Sequence, residues 1–232
     1  MSKSKGNVVG ADSLAAELGT DTSRMFVLFA GPPEKEVDWR RDGAEGIYRF
    51  LGRVYRFVTR NVGTAGGSGD SDRKVLRKLH QTVKKISEDF ETRWHFNTCI
   101  ASIMELVNVL YAEEANISAS AIPEILEKLA LLLAPFAPYL SQEIWEELGR
   151  EGPVFRQSWP AFDAELAKED EAEIVVQVNG KLRNRIFIAF GTSKDELEAL
   201  ALADEKAKPF LDGKQVVKVI VVPDKLVNIV VK

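Results

Sequence analysis

The hydrophobic period of this chain changes once along its length, and that change constrains its fold more than any single motif. Between residues 44 and 148 apolar side chains recur at spacings of three and four, as in amphipathic helices. From Glu173 onward they recur every second residue, as in strands with one buried face. One buried stripe cannot obey both periods, so the chain must divide into a helical part and a sheet-bearing part. With 232 residues, 45% of them apolar, it has enough material for two cores. The expectation is a multidomain, mainly α chain: a helical bundle followed by a small α+β domain with an antiparallel sheet.

The expected divisions are a loop with connector helices over 1–43, the bundle over 44–160, a linker over 161–172 and the small domain over 173–232. In the first part, Asp12 or Ser13 can cap a short helix ending at Gly19, and Asp21 or Thr22 can cap the next, which stops at Gly31-Pro32-Pro33. Two such helices bury too little to stand alone and should pack on the bundle. Trp39, in the charged connector after them, is expected to anchor that connector.

The first bundle helix spans 44–60, with Ile47, Phe50, Leu51, Val54, Tyr55 and Val58 as its buried stripe. Arg49, Arg53, Arg56 and Arg60 line much of its other side, a row suited to backbone phosphates. Helices over 71–93 and 97–112 follow the same period, and Pro123 suits the first turn of a fourth. Pro138 restarts the chain as a helix to 148, with Tyr139, Ile144 and Trp145 facing inward. Trp145 and Trp159 should seal the bundle end.

In the tail, Asn179-Gly180 is a strong hairpin signal between strands over 173–178 and 181–190. Ser193 with Glu196 forms a capping box for a helix over 194–202, and Pro223-Asp224 turns a second hairpin. Lys181, Arg183 and Arg185 alternate along a strand and are expected on one face, with Lys206, Lys208, Lys214 and Lys218 adding to it.

Several classes of chemistry are disfavoured. Cys99 is the single cysteine, so there is no internal disulfide, and with His80 and His95 the only histidines no zinc cluster is expected. No apolar run approaches the roughly 20 residues of a membrane span, and the start lacks the apolar core of a secretory signal, so a cytoplasmic location is expected. The net charge is −4, but from Glu173 onward there are ten basic and eight acidic residues, a weakly basic tail on an acidic body.

The chain opens MSKSKGNVV, where Lys3 and Lys5 stand among Ser2, Ser4 and Gly6. Positive charge with short donors on a mobile loop suits phosphate. This opening resembles the signature loop of the Rossmann-type aminoacyl-tRNA synthetases without its leading lysine. The runs DTSRMFVLFAGPPEKE at 21–36 and EGIYRFLGRVY at 45–55, with LAPFAP at 133–138, are similar to the approach and helices of the anticodon-binding bundle of bacterial leucyl-tRNA synthetases. FNTCI at 96–100 and MELVNVLY at 104–111 match its later helices, and IVVQVNGK at 174–181 and the 219–231 hairpin resemble its tail.

The resemblance implies a leucine:tRNA ligase that forms leucyl-adenylate from ATP, with Mg2+ expected in the full enzyme, and transfers leucine to the 3′ end of its tRNA. Lys3 would contact the ATP phosphates, and Ser2 and Ser4 would shape the closed loop. The adenylate pocket and editing domain of such enzymes lie upstream of this loop. We therefore expect no aminoacylation from this chain alone, and leucine tRNA and the catalytic portion as its partners. The bundle would meet the inner side of the tRNA and the tail its outer corner. The alternative is a freestanding or subunit-type non-catalytic tRNA-binding module; a helical scaffold binding only protein is a weaker reading.

Overall fold

The computed structural model describes residues 11–32, 41–169 and 171–232, and the chain divides into two units between Lys168 and Glu169. The first is helical: α1 (Ala11–Leu18), α2 (Thr20–Phe29), α3 (Arg41–Asn61), α4 (Asp72–Thr92), α5 (Phe96–Glu113), α6 (Ile122–Leu133) and α7 (Pro138–Glu147). Leu14, Met25 and Phe26 of α1 and α2 belong to the same core as the five longer or later helices, as two short helices require. Gly43 makes that packing possible, because a Cβ there would stand 2.8 Å from the Phe26 ring.

On α3 the buried stripe is Ala44, Ile47, Phe50, Leu51, Val54, Phe57 and Val58. It adds Ala44 to the expected stripe and has Phe57 in place of Tyr55. Phe57 lies in the core, 5.6 Å from the Tyr111 ring of α5, whereas Tyr55 is half-buried at the stripe's edge. Burying a side chain of that size is worth about 1.5–3 kcal/mol. Tyr139 also departs from expectation: it is 69% exposed. The inward residues of α7 are Ser141, Ile144 and Trp145, and at ~100° per residue Tyr139 stands on the opposite side from Ser141.

The α2 cap is likewise reassigned. Gly19, at φ 88°, lets the helix begin at Thr20, so Asp21 falls inside the first turn. Its carboxylate instead accepts the N–H groups of Tyr139 (3.3 Å) and Leu140 (2.7 Å). Ala137 precedes α7 and has no side-chain acceptor, so α7 receives its N-terminal cap from α2.

The glycine-rich link after α3 docks on the α5–α6 connection. Gly66 pairs with Ser118, and a Cβ on Gly66 or Gly67 would stand 2.1 Å from Ala119 N or 2.0 Å from Ala115 O. The segment after α7 runs back along the helices. Through Lys168 it is held to the bundle: the Trp159 indole N–H donates to Ser87 Oγ at 2.8 Å, Lys128 donates to the Ala161 carbonyl at 2.9 Å, and the Asp163 N–H donates to His80 Nδ1 at 2.9 Å. His80 is thereby a buried structural residue, its other nitrogen facing Glu124 at 3.2 Å and its pKa held down by burial.

The second unit contains β1 (Glu171–Val178), β2 (Lys181–Ala189), α8 (Lys194–Ala203), β3 (Val216–Val222) and β4 (Leu226–Val231). The sheet order is β2-β1-β4-β3, and here the expectation of an antiparallel sheet is corrected. Both hairpins are antiparallel, but β1 and β4 pair in parallel. The crossover through α8 starts β3 in the direction of β2, so β4 must run with β1. The two central strands, β1 and β4, carry the buried positions of the sheet, where Ile174, Val176, Val227 and Ile229 pack beneath Leu197 and Ala201 of α8. Asn179 secures the junction: its side chain donates to the Val231 carbonyl and accepts the Val231 N–H. Ser193 caps α8 by accepting the Glu196 N–H at 3.3 Å.

Candidate nucleic-acid interface

The four arginines of α3 lie within about 60° of one another on the helix, but they have two different environments. Arg53 and Arg60 lean toward α5. Arg53 donates to Asn108 Oδ1 at 3.0 Å and its guanidinium stands 4.8 Å over the Tyr111 ring, while the Tyr111 hydroxyl donates to the Arg53 carbonyl. Arg60 makes a two-nitrogen contact to Glu114 at 3.2 and 2.9 Å and lies 5.2 Å from the same ring. Both guanidiniums are engaged with their own protein.

Arg49 and Arg56 lean the other way and are exposed, and among the described residues they form no ion pair. With Tyr48, Tyr55, Gly52 and Tyr139 they line an open recess of about 520 Å³ between α3, the α1–α2 turn and the start of α7. Gly52 forms part of its floor; a Cβ there would stand 3.3 Å from Arg56 Nη1, so the guanidinium lies across the glycine. Asp21 also borders the recess. Burial pushes its carboxyl pKa up, against the lowering effect of the two α7 N–H groups and of Arg24.

A second recess, of about 530 Å³, continues past Tyr139 along α7 to Gln142, Arg150, Pro153 and Phe155. Phe155 is 71% exposed and Arg156 stands 5.9 Å from its ring. Arg150 pairs with Glu127, and Gln142 donates to Glu146 on the rim. The sequence reading missed Tyr48 and Phe155 and turned Tyr55 and Tyr139 inward. One signal could have found the first recess: Tyr-Arg-Phe occurs at 48–50 and again at 55–57, two helical turns apart.

In the second unit the expected shared face of Lys181, Arg183 and Arg185 does not form. A bulge opposite Val176–Gln177 leaves Arg183 as the extra residue of β2 and breaks the alternation. Arg183 stacks 3.5 Å over the Phe210 ring, whereas Arg185 pairs with Glu173 at 2.6 Å. Lys214 donates to the Phe210 carbonyl at 3.1 Å, and Lys206 and Lys208 are exposed just before Phe210. Arg183, Lys206, Lys208 and Lys214 are thus collected about the Phe210 turn. Lys181 is exposed at the first hairpin, and Lys218 lies on the opposite edge strand, β3, about 14 Å from β2 across the sheet and four residues along from Val222, the β3 residue level with Arg185.

Ser2, Lys3 and Ser4, the residues associated with ATP phosphates, lie outside the described residues, as does Trp39. Among the described residues no three His, Cys, Asp or Glu side chains group as metal ligands, and no helix is long and apolar enough to cross a membrane.

With this geometry established, comparison with known proteins places the chain. The family model for the anticodon-binding domain of tRNA ligase matches residues 72–198, from the first residue of α4 into α8. Leucine–tRNA ligases of Solibacter usitatus and Geotalea uraniireducens are 77% and 46% identical along the whole chain, which spans 29% of the length of each. The crystal structure of the ternary complex of Agrobacterium radiobacter K84 agnB2 LeuRS with tRNA and LeuAMS aligns at a TM-score of 0.86 and 29% identity, covering 100% of this chain and 31% of that one. The chain therefore belongs to the anticodon-binding-domain family of tRNA ligases, and corresponds to the anticodon-binding and C-terminal region of bacterial leucyl-tRNA synthetases.

Proposed function

We propose that this chain holds leucine tRNA for a leucyl-tRNA synthetase in the cytoplasm and has no aminoacylation activity by itself. The observation that carries the reading is the alignment of the whole chain on a leucyl-tRNA synthetase whose structure includes tRNA. Activation of leucine with ATP and Mg2+, and transfer to the tRNA 3′ end, belong to the whole enzyme, where Lys3, with Ser2 and Ser4, would meet the ATP phosphates. The role of this chain is the same whether that catalytic portion is joined to it or is a separate subunit.

Arg49 and Arg56 of the α3 row form no ion pair among the described residues and line the first recess, and so are the ones placed to neutralise phosphate. The group about Phe210, with Arg183, Lys206, Lys208 and Lys214, is a second positive site, on the other unit. Such contacts position the RNA and release counterions, so binding should weaken steeply as salt rises. The test is fluorescence-anisotropy titration of the purified chain with leucine tRNA and with a transcript lacking its outer-corner loops, together with a charging assay. We expect salt-sensitive binding, weaker without the loops, and no charging. Absence of leucine-tRNA binding at low salt, or sustained charging by the chain alone, would overturn the proposal.

A further inference from the structure

The segment 159–168 lies on α4 and α6 mainly through polar contacts. The Trp159 indole donates to Ser87 Oγ and its ring stands 5.2 Å from that of Phe90; the Ala161 carbonyl accepts from Lys128, and the Ala167 carbonyl accepts from Gln81 at 3.0 Å. Phe162 is 38% exposed. A segment held in this way opens more readily than the core beneath it. The contact in its middle is of a different kind: the Asp163 N–H donates at 2.9 Å to Nδ1 of His80, an imidazole that is only 3% exposed.

That bond fixes the tautomer. A ring nitrogen that accepts a hydrogen bond carries no proton, so the single ring proton of neutral His80 is on Nε2, which stands 3.2 Å from Glu124 Oε1. A second proton can enter only at Nδ1, and there it would meet the Asp163 N–H head on. His80 therefore cannot become an imidazolium while it holds the segment. The charged groups that face the ring are Glu124 and Lys128 of α6 and Asp163 of the segment. Burial is the largest influence and acts against charge, the two carboxylates favour the imidazolium, and the Lys128 ammonium opposes it.

Asp163 extends the effect beyond one bond. While its N–H is held by His80, its Oδ1 accepts the N–H groups of Glu165 at 2.8 Å and Leu166 at 3.3 Å. These close the turn that brings the Ala167 carbonyl to Gln81, the residue after His80 on α4. Loss of the imidazole acceptor thus loosens the stretch from Asp163 to Lys168 as a whole.

We propose that His80 is a proton-operated latch: neutral, it fastens the segment 161–168 to the helical unit, and on protonation at Nδ1 it releases that segment. The segment ends where the second unit begins, at Glu169, so protonation sets how much of the chain ahead of that unit is fastened. The sign follows from proton binding. The fastened form excludes the second proton, whereas the released form, with an exposed imidazole titrating near about 6.5, accepts it. Fastening is therefore strongest above that value and weakens as pH falls through it.

The test is amide hydrogen exchange of the full chain between about pH 8 and about pH 6, each rate corrected for the intrinsic pH dependence of exchange, together with nitrogen NMR spectra of the histidine rings. We expect protection of residues 163–168 to fall by about 4-fold across that range as the released form takes up its proton, while the core amides of α4 and α6 keep theirs and the neutral His80 ring carries its proton on Nε2. His80→Gln offers Asp163 a carbonyl acceptor that does not titrate, so protection in that variant should not depend on pH, although His95 is still present. Unchanged protection of the segment in the wild type, a pH-dependent loss that persists in His80→Gln, a parallel loss across the core amides, or a neutral His80 ring protonated on Nδ1 would each overturn the proposal.

Discussion

Asp21 is the side chain through which the start of α2 and the start of α7 are joined, and its substitutions separate hydrogen bonding from charge. Its carboxylate accepts two N–H groups that α7 cannot satisfy itself, at 3.3 and 2.7 Å. Asp21→Ala leaves both without an acceptor. Loss of a helix cap costs about 1 kcal/mol and loss of bonds to a charged acceptor somewhat more, offset in part because no carboxylate is then buried; the net is about 2 kcal/mol. For a unit of this size that lowers the helical melting transition by ~4–8 °C. Asp21→Asn keeps an acceptor of the same shape and should lie within about 0.5 kcal/mol of wild type at neutral pH. The pH dependence has a definite sign. Burial raises the folded-state pKa of Asp21 above its unfolded value, so its contribution is fully present below the unfolded pKa, about 3.9, and is lost as pH rises through the folded value. The asparagine variant should therefore gain on wild type from acid toward neutral pH. Thermal melts followed by helical circular dichroism across that range provide the measurement. An asparagine variant as damaged as the alanine variant, or one that gains on wild type as pH falls, would refute the reasoning.

Three further outcomes follow from the geometry. Arg49→Gln with Arg56→Gln should lower the salt slope of leucine-tRNA binding by about 0.7–0.9 per arginine, whereas Arg53→Gln with Arg60→Gln should leave the slope unchanged and lower the melting temperature; equal slopes for the two double variants would refute the division of the row. Gly67→Ala should destabilise the bundle by about 1–3 kcal/mol through overpacking against Ala115, and Gly63→Ala, at φ 69° with nothing near its Cβ, by about 1 kcal/mol from backbone strain alone; denaturant titration of both compares crowding with strain. The Cys99 thiol, pushed up to about 11 chiefly by burial and then by Asp89, should resist iodoacetamide at pH 8 until the helical unit unfolds, as mass spectrometry of quenched samples would report.

The helices and both hairpins were legible because each rests on a local rule: a three-and-four spacing, a proline in the first turn of α6 or α7, an Asn-Gly turn. The candidate interface was only half legible. Four arginines on one side of α3 can be counted from spacing, but Arg53 and Arg60 are committed by Tyr111, Asn108 and Glu114, more than fifty residues away in the chain. Tyr55 and Tyr139 were expected inside because tyrosine is amphipathic and both adjoin apolar stripes. Their place was decided by which neighbours filled the core first in space, Phe57 in one case and Ile144 in the other. The bulge at Arg183 has no local signal comparable to Asn179-Gly180, so the alternation of Lys181, Arg183 and Arg185 was read straight through it.

By itself, the sequence determined that this chain has a helical part and a sheet part, where the elements lie, and which family it resembles, since periodicity, turn chemistry and motif are properties of neighbouring residues. Only the tertiary structure decided that β1 and β4 run in parallel, that α2 caps α7, and that two of four similar arginines face a recess while two are held by α5. Those outcomes depend on distant groups competing for the same partners, and that competition exists only once the chain has been brought together.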